Sequence, residues 1–259
     1  MKKKKIAILD TETTFFGQEV FDIGLLIGDK KGNIDFKQGW LVQENIDKKW
    51  FYEEKRELYM SRLTNPSYPL TLLKAKHIFQ EMEQILDYFE ISEIYAYNAI
   101  FDTRVIRNLS ESLNLENPLS GKEHECLWFW AAQTIFQQKE FAKFCKRYPE
   151  IAMTEKGNYK TSAEIAYAYI YQQPQFMEEH TAVEDCLIEY EIFLACQKQK
   201  KMRCRGIAGN PWILVQTEEQ IQKLPPQFRS MKINLEIQIE QATKFIQRKN
   251  LPIKIQIGL

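Results

Sequence analysis

The first apolar run of the chain is closed by acids: Ile6-Ala7-Ile8-Leu9-Asp10-Thr11-Glu12. A run of this length predicts a buried strand over residues 5–10. Val20 to Asp29 predicts a second strand. Lys30-Lys31-Gly32-Asn33 has hairpin-turn chemistry, and Ile34 to Val42 predicts a returning third strand. Helical periodicity follows over 53–63 and 74–89, the latter with Ile78, Phe79, Met82, Ile85, Leu86 and Phe89 on one stripe. A strand over 93–97 and a helix over 99–114 come next. Residues 122–147, around Trp128, Phe129 and Trp130, read as one long helical stretch whose aromatics belong to a core. Thr161-x-x-Glu164 is a capping-box pattern opening a helix through Ile165, Tyr169 and Ile170, which Gln172-Gln173-Pro174 ends. A last periodic helix carries Leu187, Ile188, Tyr190, Ile192 and Phe193.

Three antiparallel strands, then alternating helix, strand and helix, predict a mixed α/β domain over residues 1–197. Residues 198–259 read as a small α+β appendage. Trp212 to Val215 predicts a short strand there, and Pro225-Pro226 breaks the chain. Ile233 to Ile239 and Ile253 to Ile257 alternate as strands around a helix over 240–249.

The chemistry begins where the first strand ends. Residues i and i+2 of a strand share a face, so Asp10 and Glu12 project together. A buried like-charge pair is costly unless a cation neutralises it. Hard ions such as Mg²⁺ and Mn²⁺ prefer carboxylate and water oxygens, so the pair is a candidate metal site. Two further acids stand in suggestive contexts. Asn98-Ala99-Ile100-Phe101-Asp102 turns from a strand into a helix. His180-Thr181-Ala182-Val183-Glu184-Asp185 opens the last helix, with Asp185 on it. A five-residue offset does not stack on a helix. His180 is therefore expected on the entering loop, from which an imidazole could reach a metal-bound water. Glu184 is expected to face solvent, and His77 and His124 to be structural.

Asp-x-Glu on the first strand, Asn-x-x-Phe-Asp mid-chain and His-x4-Asp late resemble the three motifs of the DEDDh 3′→5′ exonucleases, over roughly residues 5–197. The related DEDDy branch has Tyr four residues before the last Asp; here Thr181 stands there and His180 one earlier, which selects the His branch. The resemblance implies a ribonuclease H-like fold, a mixed five-stranded sheet flanked by helices. It implies that Asp10, Glu12, Asp102 and Asp185 hold two divalent cations, Mg²⁺ or Mn²⁺. Such a pair, about 3.5–4 Å apart, clamps the attacking and leaving oxygens of a phosphoryl displacement. His180 would be the general base, a task suited to an unperturbed pKa of about 6.5. Thr13, Phe15, Phe16 and Asn98 would meet the substrate, Asn98 by touching the terminal nucleotide or by steadying the loop before Asp102. In the family an apolar residue after the first motif wedges against terminal bases. A double Phe departs from the usual Leu or smaller residue.

Composition bounds this reading. The chain has 259 residues with 44% hydrophobic content, enough for a full core. No run approaches the roughly 18 apolar residues of a membrane helix. Lys2 to Lys5 resemble a signal-peptide start, but Asp10 cuts the following apolar stretch short. Cys126, Cys145, Cys186, Cys196 and Cys204 form no paired motif, which predicts reduced thiols and a cytoplasmic setting. Of the 35 Lys+Arg and 35 Asp+Glu, 12 and 4 fall in residues 198–259. That appendage is net +8 and residues 1–197 are net −8, so the basic part is the natural holder of a polyanion. The expected activity is metal-dependent 3′→5′ exonuclease action on single-stranded DNA or RNA 3′ ends. A variant of it is a nuclease for short oligoribonucleotides or structured RNA ends. The competing readings are an end-binding module with incidental or lost nuclease activity, and a subunit docking a polymerase or helicase. A protein partner or a homodimer is compatible with either.

Overall fold

The computed structural model of the protein describes residues 4–14, 19–46, 55–201, 203–207, 210–222 and 256–257. Six strands form one mixed sheet. They are β1 (Lys5–Thr13), β2 (Val20–Asp29), β3 (Ile34–Val42), β4 (Leu70–Leu73), β5 (Glu93–Ala96) and β6 (Glu123–Cys126). Their spatial order is β4-β3-β2-β1-β5-β6. The first three form an antiparallel meander, and β4 and β5 join parallel to β3 and β1. The five-stranded expectation is thus corrected to six. The sequence pattern left out β4 and β6, four-residue strands with no readable alternation, whose places are set by pairing with strands elsewhere in the sheet.

The helices among the described residues are α1 (Gln43–Ile46), α2 (Arg56–Leu63), α3 (Ala75–Tyr88), α4 (Ala99–Leu113), α5 (Leu127–Gln133), α6 (Lys139–Arg147), α7 (Pro149–Ala152), α8 (Ala163–Tyr171), α9 (Ala182–Lys198) and α10 (Glu218–Gln222). Helix α3 buries Ile78, Phe79, Met82 and Leu86, the stripe expected of it. With Val105, Ile106 and Leu109 of α4 they cover the face of the sheet carrying Ala7, Leu9, Ile23, Leu25 and Ile27. Each such side chain contributes about 1.5–3 kcal/mol of burial. Every residue of β2 is buried, as befits a strand covered on both faces.

The chain divides into two compact units, residues 1–125 with 178–190, and residues 126–177 with 191–259. In the second, Phe141 packs edge-on against Tyr159 and Tyr169, and Trp130 against Phe193. The Gln133 amide donates to the Phe129 and Cys204 carbonyls and accepts from the Cys204 N–H.

Several local expectations need correction. The helical stretch 122–147 is a strand, helix α5, a single 3-10 turn over Ile135–Gln137, and helix α6. Glu123 donates its N–H to the Ser92 carbonyl, so sheet pairing overrides the local helical period there. The capping box does not form. Ser162 caps α8 by accepting from the Ile165 N–H, while the Thr161 hydroxyl is taken by the Trp128 indole N–H at 3.0 Å. The strand expected at 212–215 is a 3-10 turn, Pro211–Leu214, entered through a proline that suits a helical first position. Of the strand expected over 253–257, Gln256–Ile257 falls among the described residues, paired antiparallel with Cys204–Arg205. The strand over 233–239 and the helix over 240–249 lie outside them. No described helix is long and apolar enough to cross a membrane. All five cysteines are buried and none is in a disulfide.

Candidate active site

The site forms where β1, α4 and α9 meet. Alternation along β1 turns Ala7 and Leu9 to the α3/α4 side and leaves Asp10 and Glu12 to the opposite face. Asp10 pairs across β2 with Gly24, and Glu12 with Asp22. Gly24 is required by the close approach of α9. A Cβ there would stand 2.3 Å from the Ala182 carbonyl oxygen and 2.7 Å from the Val183 nitrogen. Four residues along, a Cβ at Gly28 would meet the Tyr190 ring at 2.7 Å. The two bare positions let the first half of α9 lie against β2 and bring Asp185 to Glu12.

Asp22 fastens the start of that helix. Its Oδ2 accepts the Ala182 N–H at 3.0 Å and the Tyr59 hydroxyl at 2.7 Å. A carboxylate at a helix N-terminus satisfies an otherwise orphaned donor and complements the dipole. A second set of contacts holds the preceding loop. Arg62 donates to Glu179 and, at 2.7 Å, to Glu184, while the Thr181 hydroxyl lies 2.6 Å from Glu184 and 3.2 Å from the Tyr68 hydroxyl. Glu184, expected to face solvent, is instead an anchor of this loop, because α2 supplies a buried guanidinium beside it. His180 lies just before α9, exposed, with a left-handed backbone (φ 54°). Its Nδ1 is 3.9 Å from Glu178 Oε2.

Asp102 arrives from the other side. The Asn98 carbonyl accepts the Phe101 N–H at 2.7 Å, turning the chain into α4. Asp102, in the first turn, accepts the Thr11 hydroxyl at 2.7 Å. The Asn98 side chain makes no cap, and its Oδ1 is buried without a hydrogen-bond partner. Thr13 ends β1 past an irregularity in register and is half-buried. Phe15 and Phe16 lie outside the described residues. His77 and His124 take no part, and burial lowers the His124 pKa.

Ligand atoms of Glu12, His180 and Asp185 all lie within 4.8 Å of one another. The acids there resist ionisation. Burial first, then the charges of Glu189, Asp102, Asp185 and Glu12, raise Asp10 well above the ordinary range. Burial, then Asp185, push Glu12 up to about 8 against the opposing pull of Lys55. Burial raises Asp102 to about 7 although the Thr11 hydroxyl stabilises its charge. Burial also raises Asp185 to about 7, opposed by its hydrogen bond with Glu12. Such a cluster is the environment that a divalent cation relieves. The donor set fits one: hard carboxylate oxygens, with Asp185 Oδ1 buried and unbonded.

No protein-family model matches the chain, and no curated protein matches its sequence. Solved structures do match its shape. The nuclease domain of 3′hExo, a DEDDh family member, bound to rAMP, is 11% identical over 79% of this chain and 97% of that one, with a TM-score of 0.48. A structure of 3′-end specific recognition of a histone mRNA stem-loop by a 3′-exonuclease is 10% identical over 76% and 83%, at 0.48. A full-length 3′-exonuclease is 11% identical over 80% of this chain and 66% of that one, at 0.50. The chain shares the α/β fold of that full-length 3′-exonuclease, with a mixed six-stranded sheet flanked by helices. At these identities the likeness speaks to fold, and the expectation of an α/β sheet flanked by helices stands on it.

Sequence reasoning missed four residues of this site region: Asp22, Tyr59, Arg62 and Glu189. Two carried a signal. Asp22 is an acid inside the otherwise apolar run of β2, and Glu189 lies one helical turn after Asp185. Tyr59 and Arg62 carried none, since only the packing of α2 brings them to the loop.

Proposed function

We propose that the protein is a divalent-metal-dependent 3′→5′ exonuclease acting on single-stranded DNA or RNA 3′ ends and releasing nucleoside 5′-monophosphates. The observation that carries this is the convergence of Asp10, Glu12, Asp102, Asp185 and His180, from three separate segments, on the end of β1 in a ribonuclease H-like fold. Asp10, Glu12, Asp102 and Asp185 would hold two Mg²⁺ or Mn²⁺ ions, which when bound polarise the phosphate and stabilise charge on the attacking and leaving oxygens. His180, on an exposed loop beside Glu12 and Asp185, takes the proton of the attacking water. Lys55 and Tyr59 approach the His180 carbonyl at 3.5 Å and steady that loop, with Asp22 behind them. Thr13, Phe15, Phe16 and Asn98 would line the terminal nucleotides. Residues 1–197 form the nuclease domain, and the net +8 of residues 198–259 serves as a holder of the polyanion. Buried thiols suit a cytoplasmic protein.

The test is a degradation ladder of 5′-labelled single-stranded DNA, duplex DNA and single-stranded RNA with Mg²⁺, Mn²⁺ or EDTA. Shortening from the 3′ end that needs metal and is lost in His180→Ala is the expected result. Binding without cleavage of any substrate would replace this reading with an end-binding module.

A further inference from the structure

Glu189 is the least expected acid of the molecule. It lies one turn beyond Asp185 on α9 and is only 3% exposed. Its Oε1 accepts the Tyr97 backbone N–H at 3.0 Å, just before the Asn98 turn that leads to Asp102. Its Oε2 is buried with no hydrogen bond. Burial, then the charge of Asp102, then those of Asp185 and Glu178, disfavour its ionisation, and only the Tyr97 N–H favours it. Among the charges that bear on Asp10, that of Glu189 comes first.

The hydrogen bond to Tyr97 does not account for a carboxylate. A glutamine of the same shape would accept that N–H equally well, without adding a charge to a cluster of acids. The unbonded oxygen and the charge therefore call for a cationic partner. We infer that Glu189 is a fifth carboxylate of the divalent-cation centre, its Oε2 accepting from water carried by the ions and its charge tightening their binding. This rests on the metal-dependent reading above and extends it to a residue outside the three motifs.

The probe is Mn²⁺ alone, titrated calorimetrically into the full chain, with wild type, Glu189→Gln and Asp185→Asn compared. Outer partners of a metal site typically contribute about 10–100-fold in affinity. Glu189→Gln is accordingly expected to weaken Mn²⁺ binding at least about tenfold, while its melting temperature in EDTA stays level or rises. Binding within twofold of wild type, alongside loss in Asp185→Asn, would overturn the inference and leave the metal site standing. No Mn²⁺ binding by wild type would overturn both. Should Glu189→Gln fail to fold, Glu189→Leu removes the same charge with an apolar side chain suited to burial. Unweakened Mn²⁺ binding by a folded Glu189→Leu overturns the inference equally.

Discussion

Glu12 and Asp185 bring carboxylate oxygens within 4.8 Å of each other in a buried site, where two negative charges repel unless one acid keeps its proton. The metal-free site therefore takes up protons on folding. Glu12 rises to about 8, and Asp102 and Asp185 to about 7, whereas unfolded acids titrate near about 4. With folded values above unfolded ones, the native state binds more protons between about pH 4 and about pH 8, so stability falls as pH rises through that window. Urea midpoints in EDTA should decline from about pH 5 to about pH 8; a flat or rising profile would refute the raised values. Saturating Mn²⁺ should remove the decline, since metal binding needs the deprotonated acids and strengthens with pH. At the same scale, Tyr59→Phe deletes one of the two donors to the Asp22 Oδ2. A cost of about 1–3 kcal/mol is expected in denaturant titration, for a buried acceptor left short of a donor. Cleavage should slow with Mn²⁺ affinity little changed, because Tyr59 bonds Asp22 and the His180 loop and none of the four acids proposed as ligands.

Elements meet at the site because small residues permit it. Gly24→Ala would drive a Cβ into the Ala182 backbone, and backbone does not yield as a flexible side chain does. Overpacking of this kind costs about 1–3 kcal/mol. The displaced N-terminus of α9 should also carry Asp185 away from Glu12. Gly24→Ala is therefore expected to lower both the urea midpoint and the Mn²⁺-induced rise in melting temperature. A lower urea midpoint with the full Mn²⁺ response retained would show that α9 does not depend on this close approach for its placement. Much of this level was legible beforehand. The apolar stripe of α3 and the turn at Asn98 follow from local spacing. The capping of α8 was not, because the Trp128 indole takes Thr161 and leaves the cap to Ser162.

For the whole molecule, ligand linkage gives a direct reading. A cation bound only by the native state stabilises it by about 2.7 kcal/mol at a hundredfold excess over Kd. Wild type should melt higher with Mn²⁺, and Asp10→Ala should not; a surviving shift in Asp10→Ala would place the metal elsewhere. The basic C-terminal segment has its own test. Lys200→Gln with Lys201→Gln should reduce the salt slope of single-strand binding by about 0.7 for each phosphate that these lysines neutralise. An unchanged slope would mean that both are only solvated. The sequence by itself determined the α/β class, the central strands and the three acidic motifs, because strand and helix periods are local and Asp-x-Glu, Asn-x-x-Phe-Asp and His-x4-Asp lie each within one short segment. Tertiary structure alone decided the two short strands, the anchoring of the His180 loop by Tyr59, Arg62 and Tyr68, and the place of Asp22 and Glu189 around the acids. Those depend on which faces meet across stretches of chain that local spacing does not reach, from about thirty residues for β4 to 160 for Asp22 and Ala182, and the energetics of such meetings, above all the repulsion among buried carboxylates, exist only once the chain has folded.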